Sequence, residues 1–179
     1  AAYCGNPSIT TDVSAWVSPT MEINNATLIA KTNGTTTAGG VYSGGTTVVN
    51  NCDITVEPQT TTGYGVFVQD NKTIVNNTKI NVTTKAKNNS TAAYAYGIYV
   101  NAAINYNTSK KTGNNYLFQG ELVANEGNDV TVNASAGTTA YGVYVHAAKV
   151  NIPDGTFIGD YAYAGKATIN GGKYTATAT

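Results

Sequence analysis

The sequence predicts an all-β chain wound as a parallel β-helix, a solenoid of about six irregular rungs behind a non-repeating N-terminal cap or connector. Three observations carry this: the choice of apolar residues, a 26-residue repeat, and a glycine motif in phase with that repeat. Among 179 residues, Val and Ile total 28 against 3 Leu, alongside 29 Thr, 22 Asn and 19 Gly. β-Branched side chains suit the pleated strand and Leu is the favoured apolar helix former, so helices have little to form from.

The repeat appears as Asn24-Asn25-Ala26-Thr27-Leu28-Ile29-Ala30, Asn50-Asn51-Cys52-Asp53-Ile54-Thr55-Val56 and Asn76-Asn77-Thr78-Lys79-Ile80-Asn81-Val82. Each copy reads as a polar turn followed by a short strand. Later copies are Gly127-Asn128-Asp129-Val130-Thr131-Val132, Pro153-Asp154-Gly155-Thr156-Phe157-Ile158 and Asn170-Gly171-Gly172-Lys173-Tyr174-Thr175. The second motif is Gly40-Val41-Tyr42-Ser43, Gly65-Val66-Phe67-Val68, Gly97-Ile98-Tyr99-Val100 and Gly142-Val143-Tyr144-Val145. A tight turn and a further β-branched run follow it, as in Thr47-Val48-Val49 and Thr73-Ile74-Val75. Three short strands per repeat cannot bury an apolar side alone. Stacked as parallel rungs ~4.8 Å apart, they enclose a continuous core.

The expected rungs are 22–46, 47–72, 73–104, 121–148, 149–166 and 167–179, with an insertion near 105–120 and a cap or connector at 1–21. Alternation places the valines of Val66-Phe67-Val68 inside and the ring outside. Gly40, Gly65, Gly97 and Gly142 are expected at a bend where positive φ or close approach excludes a Cβ. Asn24, Asn50, Asn76 and Asn170 are expected to stack at a corner, their amides bonding up the ladder.

The Asn-Gly-Gly-x-Tyr turn at Asn170 to Tyr174, the Tyr-Gly-Val-Tyr-Val strands and the Thr/Asn-rich turns resemble the right-handed β-helices of the pectin-lyase-like superfamily. Examples are autotransporter adhesin passengers and archaeal or bacterial sheath and surface proteins. This resemblance covers residues 22–179 and implies an architecture and a surface location.

Charge narrows the function classes. Charged residues are 11%, as ten lysines and ten acids without arginine. A neutral chain with no bidentate phosphate fork is not expected to bind nucleic acid. No apolar run reaches the ~18 residues of a membrane-spanning helix. The chain opens at Ala1 without Met, which fits a secreted product after signal-peptide removal and equally a segment boundary. Cys4 and Cys52 allow one disulfide, closing a loop worth a few kcal/mol, or two free thiols.

No catalytic residues, metal or cofactor are expected. The resemblance implies, for polysaccharide lyases, clustered acids with an Arg or Lys base. Of Asp12, Glu22, Asp53, Glu57, Asp70, Glu121, Glu126, Asp129, Asp154 and Asp160, only Asp53 and Asp129 fall in one column, with Lys79 between them. No paired-carboxylate site assembles from that. His146, the one histidine, reads as a turn residue.

Aromatic residues carry the strongest signal. Tyr42, Phe67, Tyr99 and Tyr144 fall in one column and Tyr64, Tyr96 and Tyr141 in another, forming a stripe. It suits sugar-ring stacking or packing against another molecule, and also simple cross-strand stabilisation of ~0.2–1 kcal/mol per pair. Nine Asn-x-Ser/Thr sequons, from Asn25 to Asn133, make glycosylation feasible in a secreted setting. The expected function is a non-enzymatic extracellular structural protein that assembles with copies of itself at the cell surface, as a filament, sheath or array. Its expected assembly edge is Tyr174, Thr175, Thr177 and Thr179. The alternative is an adhesin or glycan-binding passenger domain.

Overall fold

A computed structural model of the chain describes residues 1–4, 19–32, 37–58, 62–69, 71–85, 94–102, 120–135, 139–147 and 166–178. The first rung comprises β1 (Ala2–Cys4), β2 (Thr20–Asn24) and β3 (Thr27–Thr32), and the second β4 (Ala38–Ser43), β5 (Thr46–Asn50) and β6 (Asp53–Pro58). The third is β7 (Gly63–Val68), β8 (Asn71–Asn76) and β9 (Lys79–Lys85), and the fourth β10 (Tyr94–Ala102), β11 (Gly120–Ala124) and β12 (Asp129–Ser135). The fifth is β13 (Thr139–Ala147), β14 (Lys166–Ile169) and β15 (Lys173–Ala178). Corresponding strands pair in parallel into three five-stranded sheets, A (β1-β4-β7-β10-β13), B (β2-β5-β8-β11-β14) and C (β3-β6-β9-β12-β15). Over the described residues the chain is an all-β parallel solenoid of about five rungs.

Two boundaries differ from expectation. Residues 2–4, placed in a cap by their lack of repeat, extend sheet A with Tyr3 opposite Tyr42, and β2 starts at Thr20, inside the expected 1–21 segment. The rung expected at 149–166 does not stand between the fourth and fifth, and residues 148–165 lie outside the described residues. Strands β11 and β12 pair directly with β14 and β15, leaving no position for it. The repeat-like Pro153–Ile158 segment lies outside the described residues. The longest connections, 5–19, 103–119 and 148–165, all join sheet A to sheet B, where rungs two and three turn within 44–45 and 69–70. The insertion expected near 105–120 coincides with the second of these connections, outside the described residues except for Gly120, which opens β11.

Stacked β-branched columns make the core. Leu28, Ile54, Ile80, Val130 and Tyr174 run along sheet C, where Ile54, Ile80 and Val130 are fully buried. Val41, Val66 and Ile98 face them from sheet A at 0% exposure. At the corner from A to B, the buried hydroxyls of Ser43, Thr47 and Thr73 satisfy one another, Ser43 Oγ donating to Thr47 Oγ1 at 2.7 Å and Thr73 Oγ1 to Ser43 Oγ at 2.8 Å. Buried polar atoms carry little penalty once paired in this way.

The B-to-C corner is tight because asparagines build it. Asn50 Nδ2 donates to Asn24 Oδ1 at 2.7 Å, Asn76 to Asn50 at 2.5 Å, Asn125 to Asn76 at 2.6 Å and Asn170 to Asn125 at 2.7 Å. The expected ladder is present with one added member, Asn125. Rung four has an extra corner residue, so Gly127 takes the left-handed turn at φ 80°. The buried Asn128 amide bridges the widened corner, donating to the Val75 and Asn125 carbonyls and accepting from Thr78 N.

Candidate functional site: the aromatic face of sheet A

Sheet A carries the stripe because its strands do not alternate strictly. In β4 and β7 two consecutive residues turn inward, Gly40-Val41 and Gly65-Val66. Tyr64 and Phe67, three positions apart, therefore share the outer face, with ring centroids 5.0 Å apart. None of the four motif glycines has positive φ, so of the two expected reasons for glycine, positive φ falls away, and the expected bend is an irregularity within the strand. The close approach does hold at Gly40, Gly65 and Gly97. A Cβ on Gly40 would sit 2.6 Å from the Gly65 carbonyl oxygen, and one on Gly97 2.5 Å from that of Gly142, each also striking a core side chain of sheet C.

The two expected columns are in register: Tyr42, Phe67, Tyr99, Tyr144 and Tyr64, Tyr96, Tyr141. Along the first, centroids lie 5.0, 5.2 and 5.3 Å apart. Along the second both steps are 5.5 Å with near-parallel rings. Lateral contacts of 4.8 Å (Tyr96–Tyr99) and 4.7 Å (Tyr141–Tyr144) knit the columns together. Tyr42 Oη also donates to Gln69 Oε1. Burial among neighbours raises the phenol pKa of Tyr64, Tyr96 and Tyr99, with the adjacent phenols adding to it. The ring columns carry no charged side chain among the described residues, and the rings offer broad apolar faces with hydroxyl rims; the Ala1 α-ammonium donates to the Gly39 carbonyl beside them at 2.7 Å.

Three participants escaped the sequence reading. Tyr3 caps the first column, stacked on Tyr42 at 4.8 Å and 71% exposed; its short strand has too few residues to show the repeat. Gly39 occupies the second column opposite Tyr64, a position legible by aligning Gly39-Gly40-Val41-Tyr42 with Tyr64-Gly65-Val66-Phe67. His146 is a strand residue of β13, correcting the expected turn. Its Nδ1 lies 3.3 Å from Asn101 Oδ1 and its ring 6.2 Å from that of Tyr144, which places it at the margin of the stripe.

Other candidates fall elsewhere. Asp53, Lys79, Asp129 and Lys173 form one column of alternating sign on sheet C, and Lys31 pairs with Glu57 at 2.8 Å across rungs one and two. Glu22 and Glu121 lie on sheet B and Glu126 at a corner. Asp12, Asp70, Asp154 and Asp160 lie outside the described residues. No group of three His, Cys, Asp or Glu poised for a metal occurs among the described residues.

Cys4 and Cys52 are buried and free, so the expected disulfide is not formed. Cys4 pairs with Ser43 before the A-to-B corner, whereas Cys52 follows β5 at the next corner. The five residues of β5 span roughly 16 Å at strand rise, beyond the ~7 Å Cα separation a disulfide tolerates. Cys52 Sγ instead lies 3.2 Å from the Asn50 carbonyl oxygen.

At the expected edge, β15 is the outer strand of sheet C. Tyr174 turns partly inward, its hydroxyl donating to the Gly171 carbonyl at 3.3 Å, while Thr175 and Thr177 are exposed. Thr179 lies outside the described residues. No helix among the described residues is long and apolar enough to cross a membrane.

Fold and face together define the class: an all-β parallel solenoid with a stacked aromatic outer face. No protein-family model, curated protein or solved structure matches the chain.

Proposed function

We propose that the chain is a non-enzymatic extracellular structural protein, a β-solenoid subunit that joins copies of itself end to end into a cell-surface filament, sheath or array. The observation that carries this is the flush construction of the solenoid. All three sheets begin in rung one and end in rung five, so each end presents three strands with one unpaired side among the described residues. Unpaired strand edges are templates for adding another chain.

The ends match in chemistry as well. Met21, Ile23, Leu28 and Ala30 are partly exposed at the first end, while Ile169 and Val145 are 49% and 42% exposed at the last. A copy added in the chain's own register places Tyr144 against Tyr3, Ile169 against Ile23, Tyr174 against Leu28 and Ala176 against Ala30. The Asn ladder runs one way, each Nδ2 donating to the preceding Oδ1, and such a copy continues that polarity from Asn170 to Asn24. Near neutrality removes long-range repulsion between copies. The cell-surface setting rests on the resemblance carried by the turn at Asn170 to Tyr174.

Analytical ultracentrifugation and electron microscopy test this reading. The expected outcome is a polymer whose mean length rises with concentration. Ala176→Lys, which aims a charge into the end-on junction, is expected to leave the fold intact and hold the chain monomeric. A wild-type chain that stays monomeric at high concentration under native conditions refutes the proposal.

A second reading, display of the aromatic face to glycans in the manner of an adhesin, is favoured by the uncharged, half-exposed rings of sheet A. Under it, the pair Tyr99→Ala and Tyr144→Ala abolishes glycan binding while end-to-end association persists.

A further inference from the structure

The second aromatic column ends early. Tyr141, Tyr96 and Tyr64 stack at intervals of 5.5 Å, and the next position up the column, opposite Tyr64, is Gly39. A Cβ placed on Gly39 meets no atom within 4 Å, unlike the crowded motif glycines beside it. The neighbouring column does continue, with Phe67, Tyr42 and Tyr3 stacked through rung one. One ring is therefore missing from an otherwise filled aromatic face, and no ring among the described residues stacks on the Gly39 side of Tyr64.

The vacancy is an opening of about 420 Å³ lined by Tyr3, Thr37, Tyr42, Tyr64 and Phe67 around Gly39. That size falls at the lower end of small-ligand sites, which combine apolar walls with a few polar groups. Here the walls are mostly aromatic, the side-chain polar groups are hydroxyls, and the Ala1 α-ammonium, which donates to the Gly39 carbonyl at 2.7 Å, is the charged group at the opening.

We propose that the Gly39 gap is a binding site for one pyranose ring of a glycan, seated on the Gly39 side of Tyr64 with its hydroxyl groups toward Thr37 and the tyrosine rim. An aromatic ring has a negative face, and the C–H face of a pyranose is apolar and slightly positive, so the two stack at the spacing the column already uses. An aromatic side chain from a second copy is the weaker occupant. Tyr94, the other exposed tyrosine among the described residues, is already stacked on Tyr96 at 6.1 Å.

This inference rests on the glycan reading above and is independent of end-to-end assembly. The test is isothermal titration of the full chain with cellohexaose, maltohexaose, a β-1,3-glucan hexasaccharide and, as the acidic comparison, oligogalacturonate. Gly39→Tyr fills the gap at a position without positive φ, so it should fold with an undiminished Tm. It should weaken binding of the preferred oligosaccharide by about tenfold or more. Ile29→Ala, on the outer face of sheet C, should bind as wild type. If Gly39→Tyr binds as wild type while Tyr141→Ala does not, the glycan reading stands and the gap is not its site. If no oligosaccharide binds the wild-type chain, both fall. If Gly39→Tyr changes sedimentation and leaves sugar binding unchanged, the gap is a contact between copies and the proposal is overturned.

Discussion

Asn25, Asn51 and Asn77 hold φ of 52°, 53° and 43°, a left-handed conformation that costs most L-residues about 1–2 kcal/mol and that asparagine tolerates best after glycine. The corner thus depends on a backbone geometry at these positions and on an amide ladder one residue earlier. Replacing Asn51 separates the two effects. Asn51→Gly should leave stability nearly unchanged, since only its exposed bond from Asn77 Nδ2 is lost. Asn51→Ala should cost about 1 kcal/mol more than Asn51→Gly, read as a lower urea midpoint. The paired asparagines were legible in sequence as a ladder. Asn125 was not, because the extra residue in Asn125-Glu126-Gly127-Asn128 moves it out of the 26-residue phase, and only the hydrogen bonds to Asn76 and Asn170 reveal its place.

Among the elements, the strands of sheet A differ from those of B and C in breaking their own alternation at a glycine. That break puts two aromatic columns on one face, and the glycines permit it by letting successive rungs approach without a Cβ. Gly65→Ala should therefore be destabilising by roughly 1–3 kcal/mol, because the new methyl group meets both Ile80 Cγ2 and the Gly97 carbonyl oxygen inside contact distance. Gly142→Ala should be much milder, since its nearest neighbour, Tyr174 Cβ, is 3.3 Å away. A comparison of thermal midpoints checks the contrast. Sequence spacing showed that these glycines matter. It assigned them to a turn because a glycine before a β-branched run has the same pattern whether the chain bends there or merely packs tightly.

Across the whole molecule, side chains stack with their equivalents one rung away, so small preferences add along five copies. Charges obey the same rule: the sheet C column alternates sign through Asp53, Lys79, Asp129 and Lys173. The phenols add a pH dependence. Burial raises the pKa of Tyr64, Tyr96, Tyr99 and Tyr174 above the usual 10.0. The folded state thus keeps these protons to higher pH than the unfolded chain. The phenols' contribution to stability should be constant below about pH 9 and fall as pH rises above about 10, measured by denaturant unfolding across the alkaline range. The same series with Tyr96→Phe should show a shallower fall. Taken alone, the sequence determined the all-β class, the parallel stacking, most of the core columns and both aromatic columns, because a solenoid repeats local chemistry at a fixed interval. Only the tertiary structure decided the number of rungs, the place of Tyr3, the free state of Cys4 and Cys52 and the gap at Gly39. Each of these depends on which segment lies above which. Where the repeat is too short, as at residues 2–4, or interrupted, as between β13 and β14, cross-rung pairing rather than spacing sets that order.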